Sequence, residues 1–206
     1  MKQKHFIDSH KGVTGPFIFF LMYYFNQFEN MNAWVYLALH GSYGIMWVIK
    51  SMVFPDKTWE ANCSLFYGLY IWIGLTLYWI SPWIINSTSV QNTPLIIGSS
   101  IFIFAMGVFF HFASDMQKHV HLKLNPGHLI QDGLMAKCRN MNYFGEFLIY
   151  VSFAILARHW VPFVILALFM AIIWLPNMIR KDKSLSRHEG YDDYKKRTSL
   201  FFPFIW

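Results

Sequence analysis

Asp115, Lys118, His119, His121, His128, Asp132, Lys137 and Arg139 crowd into one polar stretch. Arg139 then opens the run Arg139-Asn140-Met141-Asn142-Tyr143-Phe144-Gly145-Glu146, which leads straight into apolar sequence. A carboxamide and a carboxylate at the start of an apolar helix are costly unless something partners them. On a helix, Asn142 and Glu146 stand four residues apart on one face, so both can hydrogen-bond one polar ligand. Glu146 complementing the helix dipole is the plainer reading of the same residue. A second cluster lies near the C-terminus: Arg180-Lys181-Asp182-Lys183, then Arg187, Tyr191, Tyr194 and Lys195-Lys196-Arg197. Its cations suit phosphate or anionic headgroups, and its tyrosines suit stacking on an aromatic base. A solvated helix beside anionic lipid accounts for the same charges. His111, His119, His121 and His128 offer imidazoles, but only His119-x-His121 has any ligand spacing, so no catalytic metal is expected. His111 reads as a hydrogen-bonded interface residue or a cofactor contact. Cys63 and Cys138 are too few and too far apart for a disulfide framework or a CxxC site.

The elements that must position these groups are read from hydropathy. The chain is 55% hydrophobic, 20% aromatic and only 14% charged, which excludes an ordinary soluble domain. Between Glu60 and Asp115 there is no Asp, Glu, Lys or Arg, and from Phe147 to Ile179 the only one is Arg158. Such runs belong in lipid. Punctuation at Phe54-Pro55-Asp56, at Asn86-Ser87-Thr88 through Thr93-Pro94, at Asn125-Pro126-Gly127 and at Val161-Pro162 divides the chain into candidate spans. These are 13–28, 31–53, 61–85, 94–112, 143–157 and 162–179. The first and fifth are short, so five crossings are an alternative to six. The N-terminal run resembles a signal peptide but lacks a small-residue cleavage pattern and is read as an uncleaved first span.

Placing the 17 Lys and Arg residues on alternating sides of six spans leaves only Arg158 outside, which satisfies the positive-inside rule with both termini cytoplasmic. The net charge of +6 then needs no nucleic acid. The expected fold is an all-α, polytopic integral membrane helical bundle with about six transmembrane helices and a cytoplasmic C-terminal helix, in a bacterial inner membrane or the endoplasmic reticulum. It forms one membrane domain, with the spans of 1–112 on the substrate side and 113–206 binding cofactor. Asn86-Ser87-Thr88 is a glycosylation acceptor pattern on the expected outer side, meaningful only in a eukaryote. The final aromatic run, Phe201 to Trp206, is expected to fold back into the interface.

The stretch from Asp115 to the end resembles the C-terminal region of the membrane steroid 5-alpha-reductase family and its bacterial relatives. The matching residues are Asp115-x-x-Lys118, Gly133-Leu134, Arg139-Asn140-x-Asn142-Tyr143-Phe144-Gly145-Glu146, Arg180-x-Asp182 and Gly190-Tyr191-x-x-Tyr194-x-x-Arg197-Thr198-Ser199-x-Phe201-Phe202-Pro203. Upstream, His40-Gly41-Ser42-Tyr43-Gly44-x-x-Trp47-x-x-Lys50 with Phe54-Pro55-Asp56 is similar to the bacterial relatives. Sterol reductases and isoprenylcysteine carboxyl methyltransferases share the architecture. The resemblance implies NADPH held between the loop before the fifth span and the C-terminal tail, with a lipid substrate entering from the membrane. It assigns Asp115, Asn142 and Glu146 to cofactor contact, and matches Lys118, Arg139, Tyr143, Arg180, Asp182, Tyr194 and Arg197 to the same cofactor-binding region.

The activity so implied is reduction of an enone-type carbon–carbon double bond in a steroid-like or isoprenoid-like lipid. Adding hydride to an enone also needs a group that polarises the carbonyl and supplies a proton, and a tyrosine suits this. The reductases use a tyrosine and a glutamate from the N-terminal half. Here Tyr43, one helical turn before Trp47, is the catalytic candidate, although a packed aromatic is the plainer reading, and neither Glu29 nor Glu60 aligns with the family glutamate. A methyltransferase using S-adenosylmethionine is the alternative. That type carries a Glu-Glu pair after its last span and Arg-His-Pro-x-Tyr before the preceding hairpin, where this chain has Lys181-Asp182-Lys183 and Arg139-Asn140-Met141-Asn142-Tyr143. A non-enzymatic lipid-binding protein of the same architecture is a third reading. The expected partners are the lipid substrate and membrane lipids, with no obligate protein partner.

Overall fold

The computed structural model describes residues 1–203, and no strand occurs among them. Among the described residues nine α-helices run as α1 (Gln3–Tyr24), α2 (Met31–Val53), α3 (Leu65–Thr76), α4 (Ile80–Ser87), α5 (Pro94–Leu124), α6 (Met141–Ala157), α7 (Trp160–Phe169), α8 (Leu175–Leu185) and α9 (Tyr191–Lys196). A 3-10 turn at Leu77–Trp79 joins α3 to α4, and a π-helical turn at Met170–Trp174 joins α7 to α8. The continuous helical runs Leu65–Ser87, Pro94–Leu124 and Trp160–Leu185 are long and apolar enough to cross a membrane, and Met141–Ala157 is a shorter apolar helix. Their outward surfaces are greasy: Phe66 is 86% exposed, Leu95 78% and Ile172 67%. In water such a surface would drive aggregation; in hydrocarbon it costs nothing.

The chain divides into two compact units. The first comprises Met1–Phe104 with Tyr150–Ile165, and the second Ala105–Ile149 with the chain from Leu166 onwards. The two units interleave along the sequence, so that α6 belongs partly to each.

In the first unit α1 and α2 approach closely because Gly44 has no side chain. A Cβ there would lie 2.3 Å from the Lys11 carbonyl oxygen. Asn30 caps α2 by accepting from the amides of Asn32 and Ala33. Asn32, itself buried, donates to the carbonyls of Val90 (3.2 Å) and Leu156 (3.1 Å), and Asn92 donates to the same Leu156 carbonyl (2.9 Å). The two bonds to Leu156 fill a carbonyl that the end of α6 leaves without a helical donor. The N-terminus is pinned by Gln3 N to Ala61 O, Lys4 N to Trp59 O, and ion pairs from Lys2 and Lys4 to Glu60.

In the second unit α5 and α6 meet at glycines. A Cβ on Gly145 would lie 2.3 Å from the His111 amide nitrogen, and one on Gly107 2.8 Å from the Gly145 carbonyl oxygen. Backbones this close leave no room for any larger residue at either position.

Several boundaries differ from the sequence expectation. α1 starts at Gln3 and runs through Gly15-Pro16 with the proline inside it. α5 continues to Leu124, so Asp115, Lys118, His119 and His121 sit on a helix and not in a loop. Gly190 precedes α9 with φ +77°, a left-handed conformation that glycine adopts without strain. Asn86 lies inside α4, buried and donating to Pro82 O, so its side chain is closed to glycosylation.

Candidate functional site

Gln117 organises the segment after α5. Its Nε2 donates to the Asp132 carbonyl (2.9 Å), and its Oε1 accepts from the Leu134 amide (3.0 Å). The chain beyond Asp132 then turns through a 3-10 helix at Gly133–Ala136 and meets the C-terminal tail side by side. Ser199 N donates to Lys137 O (3.2 Å) and Arg139 N to Ser199 O (3.0 Å), with Cys138 and Ser199 forming a parallel bridge.

Arg139 is the centre of this junction and is only 5% exposed. Its Nε donates to Asp182 Oδ1 at 2.7 Å, and its Nη1 donates to the Thr198 carbonyl at 2.5 Å and the Thr198 hydroxyl at 3.0 Å. Lys181 Nζ donates back to the Arg139 carbonyl at 2.8 Å. A planar guanidinium suits this task because its donors point in fixed directions towards several acceptors at once. Around it, Tyr194 Oη donates to Met135 O (2.9 Å), Asn140 Nδ2 to Leu200 O (2.9 Å) and Arg197 Nη2 to Gln131 Oε1 (2.5 Å). Cys138 Sγ donates to Phe201 O (3.0 Å), and Phe201 meets Phe144 and Phe147 edge-on. Burial pushes the Cys138 thiol above its ordinary range, and burial followed by the Asp182 carboxylate pushes the Tyr191 phenol up to about 12.

The other sequence candidates fall into two groups. On the α5–α6 side, Asp115 is buried, and Asn142 and Glu146 are half-buried one turn apart on α6. His111 Nδ1 donates to the Asn142 carbonyl at 3.0 Å, which fixes the proton on that nitrogen. Tyr143 packs near Trp174, with ring centroids 5.7 Å apart. Lys118 is half-buried and Arg180 exposed. Two amide oxygens, Asn140 Oδ1 and Asn142 Oδ1, are buried without a hydrogen-bond partner among the described residues. A buried acceptor left unfilled costs about 1–3 kcal/mol, so each oxygen is a position where a donor would be stabilised. Arg139, Asp182, Tyr194 and Arg197, by contrast, direct polar atoms to the chain itself and dock the tail. Among the described residues no group of three His, Cys, Asp or Glu side chains is placed to hold a metal ion.

Tyr43 lies in the first unit, fully buried, with the Lys11 ammonium 4.4 Å from its ring centroid. Lys11 and Tyr150 are the polar pair that sequence reasoning missed. Lys11 reads as one more cytoplasmic cation, and only the close approach at Gly44 puts it inside.

Fold and site together define an all-α protein of apolar, membrane-crossing helices whose C-terminal tail is clamped to the segment between α5 and α6. The model of the DUF1295 family, described as proteins of unknown function, matches residues 50–198, and the chain belongs to that family. No curated protein and no solved structure matches it.

Proposed function

We propose that the protein is a membrane-embedded, NADPH-dependent reductase of an enone-type double bond in a steroid-like or isoprenoid-like lipid. In this reading it crosses the membrane six times with both termini cytoplasmic. The observation that supports it is the pair of buried acceptors, Asn140 Oδ1 and Asn142 Oδ1, beside a tail clamped by Arg139. The donor set fits the cofactor. Ribose hydroxyls and a nicotinamide carboxamide bring the N–H and O–H groups that these oxygens lack, whereas a phosphate brings none. Asn142, Glu146 and Asp115 would hold that donor-rich end, and Lys118 and Arg180 would meet phosphate. Arg139, Asp182 and Tyr194 contribute by holding the tail in place. When bound, the cofactor supplies hydride; the chain's own part is to orient it and to keep water from an apolar substrate.

The test is binding to purified protein in detergent. Asn142→Ala and Glu146→Gln should each abolish NADPH binding while the protein still elutes as a folded, monodisperse species. Unchanged affinity in both variants would show that the site lies elsewhere.

A further inference from the structure

The first unit holds a cleft of about 260 Å³, part of it open to solvent, where α1, the end of α2 and the chain from Pro55 to Glu60 meet. Charged side chains of both signs line it: Lys4 and Asp8 from α1, Lys50 from α2, and Asp56 and Glu60 beyond α2. Sites that enclose a whole small ligand run to about 300–1,000 Å³. This cleft is smaller, and it suits one polar group whose remainder lies outside.

Part of the lining is satisfied by the chain itself. Glu60 pairs with both Lys2 and Lys4, and the Trp47 ring, which also lines the cleft, lies 4.8 Å from the Lys50 ammonium and 5.0 Å from that of Lys11. Asp8 is different. Its Oδ2 accepts from Ser51 Oγ at 2.7 Å, which ties α1 to α2, while its Oδ1 is buried with no hydrogen-bond partner among the described residues. An unfilled carboxylate oxygen is a costly orphan, because the bond it lacks is a charge-assisted one. It calls for a cationic donor. A bare cation fits poorly, since Lys4 and Lys50 line the same cleft, so the better ligand carries its own anion. Lys2 and Lys4 can meet that anion: an ammonium has three donors, pairing with Glu60 uses one, and the two side chains are 44% and 25% exposed.

We infer that this cleft binds a phosphoethanolamine group, with Asp8 accepting from its primary ammonium and Lys2 and Lys4 donating to its phosphate. The same group is presented by ethanolamine phospholipids and by free phosphoethanolamine. A primary ammonium brings N–H donors, which Asp8 Oδ1 lacks. A quaternary choline brings none and is held instead by aromatic faces, but at Trp47 two lysine ammoniums already take that role. One carboxylate oxygen thus selects ethanolamine over choline. The inference does not rest on the reductase reading, and every residue it uses lies in the first unit.

The experiment titrates the full chain, purified in a neutral maltoside detergent, with dioleoyl-phosphatidylethanolamine and dioleoyl-phosphatidylcholine, and counts bound ligand by native mass spectrometry. Free phosphoethanolamine and phosphocholine form a parallel arm. A hydrogen bond to a charged group sets the scale, so the ethanolamine member should bind about tenfold more tightly than its choline counterpart. A preference confined to the lipids supports the inference with a phospholipid as the source, and one of equal size in the soluble arm supports it with the free compound as the source. Asp8→Asn, which keeps an acceptor for Ser51, should bring ethanolamine binding down to the choline level in a protein that still elutes as a monodisperse species. The double variant Lys2→Gln, Lys4→Gln should weaken both headgroups alike and leave the preference in place. Equal binding of the two headgroups by the parent protein in both arms, or a tenfold preference that survives Asp8→Asn, would overturn the inference. So would unchanged affinities in the double lysine variant, which would remove the phosphate contact.

Discussion

Replacing Arg139 with methionine should release the tail without unfolding the helices. The guanidinium is buried, and the Asp182 side chain that faces it is only 15% exposed, so the substitution strands a carboxylate as well as the Thr198 carbonyl. Breaking a buried ion pair by removing one partner costs about 3–5 kcal/mol. Taking the lower end because Asp182 keeps some solvent, about 3 kcal/mol corresponds to an opening equilibrium raised roughly 150-fold. Cys138 reports that opening. Its sulfur lies under the tail, bonded to the Phe201 carbonyl, and burial holds its thiol in the unreactive protonated form. In a Cys63→Ser background, alkylation of Cys138 should be slow in the parent and about two orders of magnitude faster with Arg139→Met. The double variant Arg139→Met, Asp182→Leu should recover much of the protection, because it removes the stranded charge. Equal alkylation rates in the parent and Arg139→Met would refute the view that Arg139 clamps the tail.

Other perturbations probe separate parts of the structure. Gly145→Ala should cost about 1–3 kcal/mol by forcing α5 and α6 apart, whereas Gly98→Ala, where a Cβ meets nothing within 4 Å, should be neutral or stabilising; thermal unfolding in detergent compares them. Glu60 is held below the usual carboxylate range by hydrogen bonds from Lys2 and then Lys4. Its contribution is therefore present above the ordinary carboxylate pKa and is lost as pH falls through the lowered value, so the N-terminus should become protease-sensitive in acid, and Glu60→Gln should remove that pH dependence. Tyr191, raised to about 12, acts in the opposite direction. Its contribution is complete below the ordinary tyrosine value near 10 and is lost as pH rises through the folded value, so tail protection should weaken in strong alkali while Tyr191→Phe resists.

The helical, lipid-facing character of the chain was legible because charge is absent over whole spans, and no local interaction overrides that signal. The clamp was legible only as motif residues. Cations and tyrosines in this pattern suggest phosphate and base, yet Arg139 donates to Asp182 and the Thr198 carbonyl, Tyr194 to the Met135 carbonyl and Arg197 to the Gln131 side chain. Spacing cannot tell an intramolecular acceptor from a bound one. Boundaries differ where polar helix ends look like loop, as at Gln3 to Gly12 on α1 and at Asp115 to Leu124 on α5. Lys11 was hidden for a related reason. It lies among N-terminal cations, and its burial depends on the distant glycine at position 44. Phe201 and Phe202 do return against α6, while residues 204–206 of the expected aromatic fold-back lie outside the described residues.

The most direct test of the account is a titration of the detergent-purified protein with NADPH and, in parallel, with S-adenosylmethionine. The account predicts saturable NADPH binding that is lost in Asn142→Ala and no binding of S-adenosylmethionine. Binding of S-adenosylmethionine alone would contradict it and favour a methyltransferase, and binding of neither would leave a lipid-binding protein without this chemistry.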